Sequence, residues 1–225
     1  MAAFTLVVGN KNYSSWSLRP WLAMRQAGIA FDEVVIPLYR PESKAALLAQ
    51  SPAGKVPVLR HGDRVVWDSL AIMEYLAEAL PGAGLWPDDP AARALARCVS
   101  AEMHAGFQAL RGGMPMSLRE HLPGQGRSDA VAADIARVTA IWRGCRERFG
   151  ERGPFLFGGF TIADAMYAPV ATRFRTYAVE LDPVCRKYAD AILALPSFLE
   201  WQAAAEEEPW VITSYSNPAP AASAT

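Results

Sequence analysis

The residues best suited to chemistry lie between Asn10 and Leu22, which reads Asn-Lys-Asn-Tyr-Ser-Ser-Trp-Ser-Leu-Arg-Pro-Trp-Leu. A short apolar run, Phe4 to Val8, precedes this stretch and a helical pattern follows it, so Ser14 and Ser15 sit where a strand hands over to a helix. Exposed N–H groups and the positive end of a helix dipole make such a junction an anion site. A serine hydroxyl placed there can donate a hydrogen bond to a bound thiolate. A second fragment, Ser51-Pro52-Ala53-Gly54-Lys55-Val56-Pro57, ends on a proline that opens a strand. A cis bond before Pro57 would turn the Val56 backbone outward, where its N–H and C=O can pair with a peptide ligand as an added strand does. The plainer alternative is a trans proline at a sheet edge; its place after a helix and before a hairpin favours the cis form. A third fragment, Trp67-Asp68-Ser69, precedes another helix. With Asp68 as N-cap, Ser69 keeps a free hydroxyl beside free N–H groups. That pair suits an α-carboxylate, while the acidic side chain takes an α-ammonium.

These residues need a framework to position them. Up to about residue 82, strand and helix patterns alternate. Phe4 to Val8 is a strand, Leu18 to Ala27 a helix, Phe31 to Leu38 a second strand and Glu42 to Gln50 a short helix. Val56 to Arg60 and Arg64 to Trp67 flank His61-Gly62-Asp63 as a three-residue hairpin turn. Leu70, Met73, Leu76 and Leu80 then recur at helical spacing. Residues 1–82 are therefore expected to form one α/β domain of order βαβαββα. Turn residues fill 83–90 as a linker. Residues 91–209 are expected to be all helical: Leu95, Val99, Met103, Phe107 and Leu110 mark one long helix, Val131 to Phe149 another, and a third begins after Thr161. The tail, 210–225, is rich in Pro, Ala and Ser and is expected to be partly disordered.

Composition narrows the function class. The 225 residues are 52% hydrophobic and 20% charged, with a formal net charge of -1, so neither a nucleic acid nor a membrane surface is indicated as partner. No apolar run approaches the roughly 20 residues of a membrane helix, and the N-terminus shows no secretory signal pattern. Cys98, Cys145 and Cys185 are odd in number and far apart, with no metal-ligand spacing. They suit a reducing, cytoplasmic setting and packing roles. The junction before the first helix lacks the Cys-x-x-Cys of thiol redox chemistry.

Taken together the three fragments resemble the glutathione transferase family, over nearly the whole chain, and within it the bacterial zeta-like, serine-type members similar to maleylacetoacetate isomerases. Ser14-Ser15-Trp16-Ser17-Leu18-Arg19 fits their Ser-Ser-x-Ser-x-Arg motif, Gly54-Lys55-Val56-Pro57 their cis-proline segment and Asp68-Ser69 their acidic-Ser pair. The resemblance implies a thioredoxin-like first domain, an all-helical second domain and a homodimer. It implies glutathione as co-substrate, held by Ser15, Trp16, Lys55, Val56, Pro57, Asp68 and Ser69. The thiol, with an ordinary pKa of roughly 8.5, would be activated by Ser14, with Ser15 as the fallback and Tyr13 as a further alternative. Ser17 reads as the first-turn cap and Arg19 as facing solvent or the other domain. Arg40, Lys44 and Lys55 are candidates for the glycine carboxylate. The reaction implied is addition of glutathione to a small electrophile. Cis–trans isomerisation of a maleyl-type diacid is the alternative within the class, and a non-catalytic binding protein the alternative outside it.

One position departs from the family pattern: Trp16 stands where the zeta members carry cysteine. It either narrows the thiol site or stacks on an aromatic substrate, or it only covers the helix start. For the second substrate, Met103, His104, Phe107, Gln108 and Arg111 on the long helix and Arg173 and Arg175 past Pro169 are candidates. Of these, Met103 and Phe107 share the core face with Leu110. Thr161-Ile162-Ala163-Asp164 is a capping signature, which makes Asp164 structural. His61 and His121 read as surface residues.

Overall fold

A computed structural model describes residues 3–213. Strand β1, Phe4–Val8, lies at the centre of a four-stranded sheet of order β2-β1-β3-β4. It pairs in parallel with β2, Phe31–Val35, and antiparallel with β3, Val58–His61. β4, Arg64–Trp67, closes the far edge by pairing with β3. Successive side chains of β1 alternate between faces. Leu6 and Val8 meet α1, Ser15–Gln26, and α3, Ser69–Ala79, in the main core, whereas Val7 packs with Ile36, Leu47 and Val58 toward α2, Ser43–Leu48. The hairpin is tighter than its sequence suggests. His61 pairs with Arg64 inside the ladder, so only Gly62 and Asp63 turn, with Gly62 at φ 58°. His61 is not a free surface residue either, since its Nδ1 lies 2.7 Å from the Tyr75 hydroxyl and its ring 4.3 Å from that of Phe4.

The second half is helical: α4, Pro90–Ala105; α5, Gln108–Gly113; α6, Asp129–Phe149; α7, Ile162–Thr176; α8, Pro183–Leu193; and α9, Pro196–Glu207. The long helix expected through Leu110 is in fact two. Gly106 is extended, Phe107 sits at φ 60°, and a Cβ on Gly106 would lie 2.9 Å from the Glu102 carbonyl oxygen. The apolar period continues across the break because the Phe107 side chain still reaches the core. Helix α7 runs through the centre of the molecule, with every residue but Arg175 buried. Its start is fixed by Asp164, whose carboxylate accepts the Thr161 N–H (2.8 Å), the Thr161 hydroxyl (3.0 Å) and the Leu156 N–H (2.9 Å).

One core joins the two halves, because α1 packs on α7 and the main apolar cluster extends from Phe4 to Ala205. Among the described residues no helix is long and apolar enough to cross a membrane. The expected tail lies outside the described residues from position 214 onward.

Candidate functional site

A cleft of about 840 Å³ opens between the two halves, where the start of α1 faces α5 and α7. The β1–α1 loop delivers Ser14 and Ser15 to its wall; the β2–α2 segment contributes Tyr39, Arg40 and Lys44; Lys55 and Val56 stand on the approach to β3. The Val56–Pro57 bond is cis. From the helical half come Gln108, Arg111 and Arg173. All three candidates for the glycine carboxylate, Arg40, Lys44 and Lys55, line this cleft.

Ser14 is the N-cap of α1. Its Oγ accepts the Ser17 N–H at 3.3 Å and donates to the Ser17 Oγ at 2.8 Å. Ser17, expected as the cap, is instead an internal acceptor, taking the Gly9 N–H at 3.0 Å and tying the helix start to the end of β1. The neighbouring Ser15 Oγ accepts from Arg173 Nη2 at 3.3 Å, which leaves its own proton free to turn toward the cleft. Arg173 is itself held, donating through Nε to the Met114 carbonyl at 2.8 Å and through Nη1 to Pro169 at 3.2 Å.

Three guanidinium groups gather behind these hydroxyls. Arg19 is 1% exposed, and its Nε and Nη1 have no partner among the described residues. Burial, then the charges of Arg111 and Arg173, lower its pKa. The Trp16 ring carries Arg19 over it at 4.3 Å and Arg111 at 4.8 Å, with His104 edge-on at 5.4 Å. Trp16 is thus a packed element of the cleft wall held by cations. Arg111 donates to the Met103 and His104 carbonyls and so closes the C-terminus of α4.

Asp68 caps α3, its Oδ1 accepting the Leu70 N–H at 2.9 Å and the Ala71 N–H at 3.3 Å. At φ 76° and ψ 136° it holds a backbone conformation that non-glycine residues adopt at a cost of about 1–3 kcal/mol. Its Oδ2 lies 3.2 Å from His104 Nε2. Burial, followed by the Arg19 and Arg111 charges, lowers the His104 pKa against the pull of Asp68, so the imidazole is neutral near pH 7. Ser69 is buried, and its Oγ has no partner among the described residues. Asp68 and Ser69 stand beside the cleft rather than in its lining, linked to it through His104 and Trp16.

Several sequence candidates fall elsewhere. Met103 and Phe107 are core residues at 0% and 7% exposure. Arg175 faces away, exposed and over the Phe198 ring at 5.6 Å, because two steps along a helix turn a side chain by roughly 200°; Arg173 takes the inward place. Tyr39, at φ 58° and largely exposed on the rim, carried no sequence signal of its own. Among the described residues no group of three or more His, Cys, Asp or Glu is placed to hold a metal. Hydroxyls at a helix start, flanked by guanidinium groups and reachable from solvent, form a site for an anionic sulfur or oxygen group.

Comparison with known proteins agrees with this geometry. Residues 13–79 match the family model described as glutathione S-transferase, N-terminal domain, and residues 128–203 match the corresponding C-terminal domain. A probable maleylacetoacetate isomerase of Caenorhabditis elegans is 28% identical over 82% of this chain and 86% of its own length. Among solved structures, a glutathione transferase homologue from Burkholderia with bound glutathione superposes with a TM-score of 0.70, 22% identity and coverage of 91% of this chain and 99% of that one. A bacterial maleyl pyruvate isomerase, in the zeta class of glutathione S-transferases, superposes with a TM-score of 0.68 and 24% identity over 89% and 97%.

Proposed function

The chain belongs to the glutathione S-transferase family, and from that premise we propose that it binds glutathione in the cleft and activates its thiol through a serine hydroxyl for attack on a small electrophile. The observation that carries this reading is the Ser14–Ser15 pair at the N-terminus of α1, lining the cleft beside Arg173. A hydrogen bond to the charged form, the helix N-terminus and nearby guanidinium groups each favour thiolate over thiol. Ser14 is the proposed donor. As N-cap it already accepts a backbone N–H, which polarises its own O–H, and rotation about its Cβ–Oγ bond moves that proton from Ser17 to a ligand. The γ-glutamyl end is assigned to Asp68 and Ser69: the unpartnered Ser69 hydroxyl suits the α-carboxylate and Asp68 the α-ammonium. Lys55, Val56 and Pro57 take the cysteinyl backbone as an added strand.

A second reading is favoured by one feature, Arg111 and Arg173 lining the cleft from the helical half, with Arg19 buried behind them. Two guanidinium groups on one cleft wall suit a carboxylate-bearing electrophile, and a maleyl-type diacid offers two carboxylates. Reversible addition of glutathione to its double bond, rotation and elimination would isomerise it and return the thiol.

The test is a titration of glutathione into the purified protein, with thiolate absorbance followed against pH. Binding with a thiol pKa displaced below roughly 8.5 is expected; absence of binding, or a bound thiol that titrates like the free one, overturns the reading. Supplied with a maleyl-type diacid, an isomerase leaves the glutathione concentration constant, whereas conjugation consumes one equivalent per turnover.

A further inference from the structure

We propose that Glu208, just past the end of α9, is a positioning residue for the serine pair: its carboxylate holds the β1–α1 loop in the shape that presents Ser14 and Ser15 to the cleft. What the serines then do rests on the reading above.

The loop from Asn10 to Tyr13 has no sheet or helix of its own to set its path, yet it decides where the cap residue lands. Its inner bonds are few. The Asn10 carbonyl accepts the Tyr13 and Ser14 N–H groups at 3.1 and 2.8 Å, and the Asn10 Oδ1 accepts the Leu38 N–H at 2.8 Å. The remaining groups are satisfied from far along the chain. Glu208 accepts the Lys11 N–H through Oε1 at 2.6 Å and the Asn12 N–H through Oε2 at 3.2 Å. Trp201 donates its indole N–H to the Lys11 carbonyl at 2.9 Å. The Asn12 Oδ1 takes the N–H groups of Leu118 and Arg119 at 2.7 and 3.0 Å.

Arg119 completes the clamp from the other side. It donates to the backbone carbonyls of Glu208 at 2.6 Å and Trp210 at 2.7 Å, so the segment carrying the carboxylate is itself fixed. Glu208 is only 9% exposed. The charged groups facing it are Lys11, whose ammonium also pairs with Glu33 at 2.7 Å, and Arg119. A buried carboxylate is costly unless each oxygen is well bonded, and here the two oxygens take two consecutive backbone N–H groups, Lys11 and Asn12, with only Tyr13 between them and the cap residue Ser14. Removing them strands both donors and frees the loop to move the serines relative to the cleft.

The experiment compares the parent protein with Glu208→Ala, Glu208→Gln, Ser14→Ala and the double variant Ser14→Ala/Glu208→Ala. It follows the pKa of bound glutathione thiol, glutathione affinity and amide hydrogen exchange at Lys11 to Ser15. Glu208→Ala is expected to raise the bound thiol pKa by about half a unit to one unit. Affinity should change less than threefold, because the γ-glutamyl contacts lie elsewhere. Glu208→Gln, which keeps one acceptor oxygen, falls between Glu208→Ala and the parent and carries the test if the alanine variant fails to fold. Because Glu208 acts through Ser14, the double variant should shift the thiol no further than Ser14→Ala alone; a purely structural effect would add. An unshifted thiol in both Glu208 variants, or additivity in the double variant, overturns the proposal. If the parent binds no glutathione, the functional reading fails on its own, and exchange decides the positioning role: faster exchange in the Glu208 variants upholds it, unchanged exchange overturns it.

Discussion

At the scale of single residues the site turns on which hydroxyl meets the sulfur. Ser14 donates its proton to Ser17 Oγ and also accepts the Ser17 N–H, whereas Ser15 accepts from Arg173 and keeps its proton. A hydrogen bond to a charged partner contributes about 1.5–3 kcal/mol, which corresponds to roughly one to two pKa units. Ser14→Ala is therefore expected to raise the bound glutathione thiol by about that much, and Ser15→Ala by much less. Titration of both variants checks this, and a larger shift in Ser15→Ala would transfer the role to Ser15. Ser14, Ser15, Lys55 and Val56, singled out in the sequence, all line the cleft because short motifs are positioned by the elements directly beside them. Arg173 and Arg175 were not separable in sequence, since facing is decided by the phase of α7 against its neighbours, and that phase depends on the packing of the whole half. Trp16 was likewise ambiguous. Only the arginines brought over its ring from two other helical positions show that it is held in the wall.

At the scale of elements, the strands and most helices followed from local pattern. Phe4 to Val8 is apolar on both faces because β1 is central, and Ser128, Asp89 and Asp182 cap α6, α4 and α8 with side-chain oxygens. The break between α4 and α5 was hidden because apolar residues recur at helical spacing straight through it, and only the backbone at Gly106 and Phe107 departs. Asp164 ties the start of α7 to the preceding loop. Asp164→Ala strands the Thr161 and Leu156 N–H groups, each at about 1–3 kcal/mol, and is expected to lower the thermal unfolding midpoint clearly; an unchanged melt would sink that account. Burial raises the Asp164 pKa to about 6. Between its unfolded value near 3.8 and this folded value the native state binds the extra proton, so its contribution to stability is greatest at the acid end of that window and declines as pH rises through it. The stability advantage of the parent over Asp164→Ala is therefore expected to widen as the pH is lowered from 7 toward about 4.5.

At the scale of the whole molecule, the two halves are one packed body: α1 of the first lies on α7 of the second, and the cleft exists only because both contribute walls. The family resemblance implies a homodimer, and β4 at the sheet edge carries Val65 and Trp67 at 38% and 45% exposure, an apolar strip a second copy would cover. Sedimentation at twice the monomer mass is expected, with Trp67→Glu shifting the protein toward monomer; a monomeric parent would overturn the assignment. The bond between Glu208 and the loop before Ser14 was invisible in sequence because it spans 196 and 197 positions, and no spacing rule operates over that distance. It also sets an order in time. During synthesis the sheet and the serine segment emerge well before Glu208, the acceptor for two N–H groups of the loop between β1 and Ser14. On the positioning role proposed for it, a chain halted before Glu208 would carry every motif residue and still lack the contacts that set the serine loop, so a finished thiol site would arise only after the helical half had been made.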